Sequence, residues 1–220
     1  MSKADSERQL PIIHNREIVA RSRLFRLEEI NLEFSNGEKR VFERMAGSGR
    51  GAVMIVPMID DHRFLLVREY AAGLHEYQLG FPKGLIDPGE TPIEAANREL
   101  KEEVGFGAEH LQNLHTVTMA PTFFSAQMHI VLAKSLYPEK LEGDEPEPLE
   151  VVEWSFNDID SLLARAEFSE ARCIAALFLA NKELLAQKEL LAQKELLARK
   201  EPHTNKELIA QSISPLKTEQ

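Results

Sequence analysis

The sequence predicts an α/β domain preceded by an antiparallel β-hairpin, on three observations. Asn36-Gly37 lies between two runs of alternating apolar residues, the strongest short-range hairpin signal. Gly51-Ala-Val-Met-Ile-Val-Pro57 is apolar nearly throughout, as befits a strand covered on both faces. Thr91, Pro92 and Glu94 open a short helix with an N-cap, a proline at the first helical position and a capping box.

The elements follow in order. Residues 1–16 are polar and turn-like and read as a flexible tail. A strand-like stretch runs from about Ile18 to Phe34, then the Asn36-Gly37 turn leads into Lys39-Arg-Val-Phe-Glu-Arg44. Residues 51–57 and Arg63–Val67 are strands separated by an Asp60-Asp61-His62 turn. Tyr77 to Leu79 leads into the capped helix, which Gly105 stops. Within it Ile93, Ala96, Leu100 and Val104 share one side at helical spacing and should pack inward. His115–Met119, Met128–Ala133 and Val151–Trp154 read as further strands, and Ile159–Ala166 as a helix. A last core helix starts at Ser169 or Glu170 and runs to about Ala180. The aromatics are spread through residues 25–178, so the packed part should end soon after Phe178.

Residues 182–199 are different in kind. Lys182-Glu-Leu-Leu-Ala-Gln, Lys188-Glu-Leu-Leu-Ala-Gln and Lys194-Glu-Leu-Leu-Ala-Arg are near-identical and strongly helix-forming. A six-residue step turns about 240° around a helix, so the leucines spiral instead of forming a coiled-coil seam. The segment reads as a prolongation of the last helix, with a partner-binding segment as the alternative. Pro202 should end that helix, and the rest to Gln220 reads as disordered.

Composition narrows the function classes. The chain has 220 residues and a formal net charge of −10, which argues against general nucleic-acid binding. Its single cysteine, Cys173, excludes an intrachain disulfide, fits a reducing cytoplasm and reads as a buried inert thiol. No apolar stretch reaches membrane-spanning length and no signal-peptide core is present, so a cytoplasmic protein is expected. The seven histidines show no zinc-ligand spacing, and His129 reads as a strand residue with a structural partner. Neither Ser125 nor Cys173 has a recognisable nucleophile setting, which agrees with attack by water.

The chemistry concentrates at Glu99, Glu102 and Glu103, spaced i, i+3, i+4 at the end of the capped helix. Like charges at that spacing repel, and the helix dipole there favours cations. A divalent metal reverses both signs, and hard ions such as Mg2+ take carboxylate oxygens. An ordinary solvated charged face is the competing reading.

The spacing of the whole segment decides between them. Gly84, Glu90, Arg98-Glu99-Leu100, Glu102-Glu103 and Gly105-Phe106 resemble the Nudix box at each of its defining positions. The resemblance implies an α/β/α sandwich with a mixed sheet, preceded here by the N-terminal antiparallel β-hairpin region. It also implies a pyrophosphohydrolase that uses Mg2+, or Mn2+, and water. By position, Glu99 and Glu103 would be the main metal ligands and Glu102 a third ligand or the base. Arg98 would orient a box glutamate, and the backbone carbonyl of Lys83, beside Gly84, would approach the metal.

Beyond the box pattern itself, residues 19–25, 32–37, 79–90 (which run into the box) and 141–149 resemble the members of that family that hydrolyse ADP compounds. The implied substrates are ADP-ribose, NADH and diadenosine triphosphate, with AMP released. A likeness to the ADP-ribose branch implies a homodimer in which the N-terminal β region crosses to the partner. Glu145, with Glu147 second, would be an additional base or ligand from the acidic loop 142–150. Arg44 and Arg68 are expected to bind substrate, with Arg50 and Lys83 as further local cations. The expected organisation is a tail over 1–16, a dimerising β region over 17–46 and the hydrolase domain over 47–180. A helical extension over 181–201 and a disordered tail over 202–220 follow. Alternatives are a Nudix hydrolase of a nucleotide sugar or other nucleoside diphosphate derivative, and a non-catalytic ADP-ribose sensor.

Overall fold

A computed structural model describes residues 9–47 and 49–200. Strands β1 (Ile12–Arg21), β2 (Arg26–Glu33) and β3 (Lys39–Met45) form an antiparallel sheet in that order. The expected hairpin is β2–β3: Gly37 takes φ +84° in its turn, and Asn36 Oδ1 accepts from the Glu38 amide at 3.1 Å. The stretch expected as one strand over 18–34 is instead two. Ser22 closes a turn between them, its hydroxyl accepting from the Phe25 amide at 2.9 Å. A serine can supply such a turn without glycine or proline. Strand β1 also begins at Ile12, within the stretch expected as tail, because it pairs with β2 as far as Ile12–Glu33.

Strands β4 (Ala52–Pro57), β5 (Arg63–Ala71), β6 (Glu76–Gly80), β7 (Lys83–Leu85), β8 (Phe106–Thr118), β9 (Gln127–Pro138) and β10 (Glu150–Ser155) build two more sheets. One has the order β7-β4-β9-β8; β4 and β9 run parallel and the other pairs antiparallel, so the sheet is mixed as expected. The other, β10-β5-β6, is antiparallel. The β4–β5 turn is held by Asp60, whose Oδ1 accepts from the amides of His62 at 2.9 Å and Arg63 at 2.8 Å.

The helices are α1 (Pro92–Glu99), α2 (Ile159–Leu163) and α3 (Ala171–Lys200). Alternation along β4 divides the core. Val53 and Ile55 pack with Ala95, Ala96 and Leu100 of the α1 segment, whereas Met54 and Val56 pack with Cys173, Ala176 and Leu177 of α3. Strand β5 does the same through Leu65 and Val67 on one side and Phe64 and Leu66 on the other. Helices therefore cover both faces, which explains why 51–57 carries no polar alternation.

Packing runs past the expected end at Phe178. Leu184, in the first hexapeptide, is 5% exposed, and Lys134 Nζ donates to Gln187 Oε1 at 2.6 Å. Leu190, Leu191, Leu196 and Leu197 in the later repeats are exposed. The segment continues α3 without a break as far as it is described. The expected tail over 202–220 lies outside the described residues. Among the described residues no helix is long and apolar enough to cross a membrane.

Candidate active site

The helix that carries the carboxylates begins as its residues dictate. Thr91 Oγ1 accepts from the Glu94 amide at 3.2 Å, and Glu94 Oε2 accepts from the Thr91 amide at 2.8 Å. Its end departs from expectation. After Glu99 the α-helix widens into a π turn over Leu100–Val104, and Gly105 stops it at φ +81°. Leu100 and Val104 lie in the core, and Glu99, at the end of α1, and Glu103, within the π turn, are buried beside them at 8% and 7% exposure. The three glutamates thus do not line a solvated α-helical face. π turns of this kind are frequent at functional sites.

Strand β7 receives two of them. A Cβ on Gly84 would overlap the Glu99 carboxylate, so only glycine leaves it room. The Lys83 amide donates to Glu103 Oε2 at 3.1 Å. Arg98 joins the remaining groups. Its Nη1 donates to Glu99 at 2.8 Å and Glu102 at 2.9 Å, its Nε to Glu90 at 2.8 Å, and its Nη2 to the Leu85 carbonyl at 2.9 Å. Arg98 thus ties Glu90, Glu99 and Glu102 into one hydrogen-bonded group.

The loop 142–146 closes the other side. Glu145 lines a cavity of about 620 Å3 together with Glu99, Glu102 and Glu103. Glu147 does not reach it; its carboxylate accepts from the Tyr77 hydroxyl at 2.5 Å. Burial pushes the Glu103 carboxyl up to about 8, against the opposing pull of Lys83. Burial also raises Glu99, with Glu102 and Glu145 adding to it and Arg98 opposing. Among the described residues no three His, Cys, Asp or Glu side chains are gathered tightly enough to hold an ion as they stand. One nitrogen of Arg98 occupies Glu99 and Glu102 instead. The donor set nevertheless fits a hard divalent cation, because it is all-oxygen and carboxylate-rich.

The expected cations are mostly placed elsewhere. Arg44 pairs with Glu28 at 2.7 Å within the N-terminal sheet, and Arg68 lies between Glu150 and Glu167. Arg50 approaches Asp87 at 3.8 Å. Neither Arg44 nor Arg68 lines the carboxylate cavity, because each is drawn to an acidic neighbour on an adjacent strand or loop. Lys83 does line it, its ammonium paired with Glu69. Sequence reasoning missed Glu69, which follows Arg68 beyond the Arg63–Val67 stretch expected as a strand. His129 takes a structural partner, Thr116, at 3.1 Å. Burial pushes the Cys173 thiol up to about 12, which keeps it unreactive.

With the geometry established, comparison with known proteins adds the lineage. The NUDIX domain model matches residues 49–178, and the NudE-type Nudix hydrolase N-terminal domain matches residues 11–44. ADP compounds hydrolase NudE of Escherichia coli (strain K12) is 59% identical over 80% of this chain and 94% of its own length. ADP-ribose pyrophosphatase of Bacillus subtilis (strain 168) is 31% identical over 72% of this chain and 85% of its own. A crystal structure of an ADP compounds hydrolase superposes with TM-score 0.78 at 59% identity, covering 81% of this chain and 96% of that one.

The raised Glu103 carboxyl has a consequence for stability. Between the ordinary carboxylate range and about 8, the folded chain holds a proton that the unfolded chain has shed. Stability of the metal-free protein must then fall as pH rises through that window. In the presence of a chelator, the melting temperature should drop several degrees more from pH 5 to pH 8 in the wild type than in Glu103→Gln, since ~1 kcal/mol is about 2–4 °C for a chain of this size. Parallel melting curves for the two proteins would refute the assignment.

Proposed function

We propose, from the premise that this chain belongs to the Nudix hydrolase family, that it hydrolyses the pyrophosphate bond of ADP-linked compounds. The observation that carries the proposal is the convergence of Glu99, Glu102, Glu103 and Glu145 on one cavity beside Gly84, whose missing side chain leaves room for Glu99. The 59% identity to an ADP compounds hydrolase supports the substrate class. ADP-ribose, NADH and diadenosine triphosphate are the substrates we propose, with AMP as the common product.

The residues divide the work. A divalent ion bound there, which we propose to be Mg2+ or Mn2+, would screen the pyrophosphate charge and lower the pKa of a bound water. Glu99 and Glu103 would hold it, with the Lys83 carbonyl nearby and Glu102 as third ligand or base. Arg98 fixes the directions of Glu99 and Glu102 through one nitrogen. The Lys83 amide fixes Glu103 on strand β7. Glu145 faces these groups from a separate loop, where it can take a proton from the attacking water. Lys83 is the cation we assign to the substrate phosphates; Arg44 and Arg68 lie outside this cavity in the single chain.

A homodimer through the N-terminal sheet is part of the proposal. That sheet leaves Ile12, Ile18, Val19, Val41 and Phe42 exposed in the single chain, an apolar surface of the kind that marks a partner interface.

Two experiments test these readings. Incubation with Mg2+ and each of the three compounds should release AMP, with Glu103→Gln slower by about 10²-fold or more, at least the upper end of what losing a mere supporting partner of a metal ligand costs. Glu145→Gln should lower kcat sharply with the fold intact, and near-normal turnover would move the base elsewhere. Absence of cleavage of any compound by a folded wild type would refute the substrate class. In sedimentation the wild type should run at twice the 24.9 kDa chain mass and an Ile18→Lys/Phe42→Lys variant at one; a monomeric wild type removes the dimer.

A further inference from the structure

The acidic loop that closes the carboxylate cavity is held at both ends. Its first end is tied to the π turn. The Glu139 amide donates to the Gly105 carbonyl at 3.1 Å, and the Leu141 amide to the Lys101 carbonyl at 3.2 Å. Lys101 Nζ pairs with Glu139 at 2.9 Å, and the Lys140 ammonium donates to the Glu102 carbonyl. Carbonyls at the end of a helix lack partners within it, and here the start of the loop supplies them. The second end is tied to the core and to strand β5. Leu149 packs on the α1 side of the core, and Glu150 stands opposite Arg68 in the β10–β5 pairing, with their side chains 2.9 Å apart. Pro146 and Pro148 each fix a φ angle between these ends.

That leaves the short run Glu142-Gly143-Asp144-Glu145 to meet the site. Glu142, Gly143 and Asp144 are exposed, whereas Glu145 is half-buried. The Glu145 side chain turns back across its own loop. A Cβ on Gly143 would overlap the Glu145 carboxylate and would lie 3.6 Å from Glu102 Cβ. Conformation does not call for glycine here, because Gly143 does not take a positive φ. Space does. The same relation holds between Gly84 and Glu99 in the same cavity. Two carboxylates of the site thus each occupy the place of a missing side chain, one within the Nudix box and one outside it.

We propose that Gly143 is a positioning residue: by lacking a side chain it sets the Glu145 carboxylate beside Glu102, facing the box glutamates. A methyl group there would leave both anchors of the loop intact and displace only the end of one side chain. Its cost therefore falls on the placement of the carboxylate and not on the fold. The kinetic consequence rests on the base role given to Glu145 above.

Gly143→Ala tests this, with Glu145→Gln and the double variant beside it. Gly143→Ala should melt at the wild-type temperature or slightly above, because alanine restrains the unfolded chain. With ADP-ribose and Mg2+ its kcat should fall about tenfold or more, since a misplacement of about 1 Å can cost on the order of 10²-fold. KM should stay nearly unchanged, as for an interaction made only in the transition state. In the Glu145→Gln background the same substitution should change kcat by less than about twofold, because the carboxylate it displaces is gone. With Glu145→Gln impaired, equal losses in both backgrounds, or an unchanged kcat in Gly143→Ala, overturn the proposal. Normal turnover by Glu145→Gln, or none by the wild type, would strike the readings above instead. Gly143 is then judged by placement alone, in a crystal structure of Gly143→Ala. A displaced Glu145 carboxylate upholds the assignment, and an unmoved one overturns it.

Discussion

Two carboxylates held out of water against strand β7 set the terms for the rest of the site. Glu99 sits in the space that Gly84 leaves, and Glu103 rests on the Lys83 amide. Burying ionised carboxylates is unfavourable unless charge or hydrogen bonds answer them. Arg98 answers Glu99, while Glu103 is left with one amide and the nearby Lys83 ammonium, and its carboxyl rises to about 8. This arrangement costs stability and leaves the two carboxylates dehydrated and fixed. The divalent ion of the proposed function would supply the charge that the fold withholds.

The frame explains how two such groups can be kept there. Strands β4 and β5 are buried on both faces, so β7, paired with β4, cannot shift without disturbing the core. On one face Ala95, Ala96 and Leu100 seat the α1 segment against Val53 and Ile55. Glu99 at the end of α1 and Glu103 in the π turn then meet β7, while Leu100 and Val104 are buried in the core. On the other face α3 packs against Met54 and Val56.

What the sequence made readable was local. The capping box, the Asn36-Gly37 turn and the two-faced strand each depend on a few adjacent residues, and each is found where expected. The Nudix box marked the carboxylates because its spacing encodes one loop and one helix. What escaped reading depends on tertiary partners. The π turn has no signature in Leu-Lys-Glu-Glu-Val, and Ser22 ends a strand with a single hydroxyl. The ion pairs of Arg44 with Glu28 and of Arg68 with Glu150 and Glu167 are made by strand pairing and a loop, which no local pattern announces. Leu184 belongs to the repeat, yet from within α3 it packs into the core.

The central claim is that the buried carboxylates hold a divalent ion, and Mn2+ binding measures it without reference to turnover. Titrating Mn2+ into the protein and following the free-ion EPR signal should show uptake by the wild type. Folded Glu99→Gln and Glu103→Gln variants should leave that signal free. Equal uptake by the wild type and both variants would contradict the account.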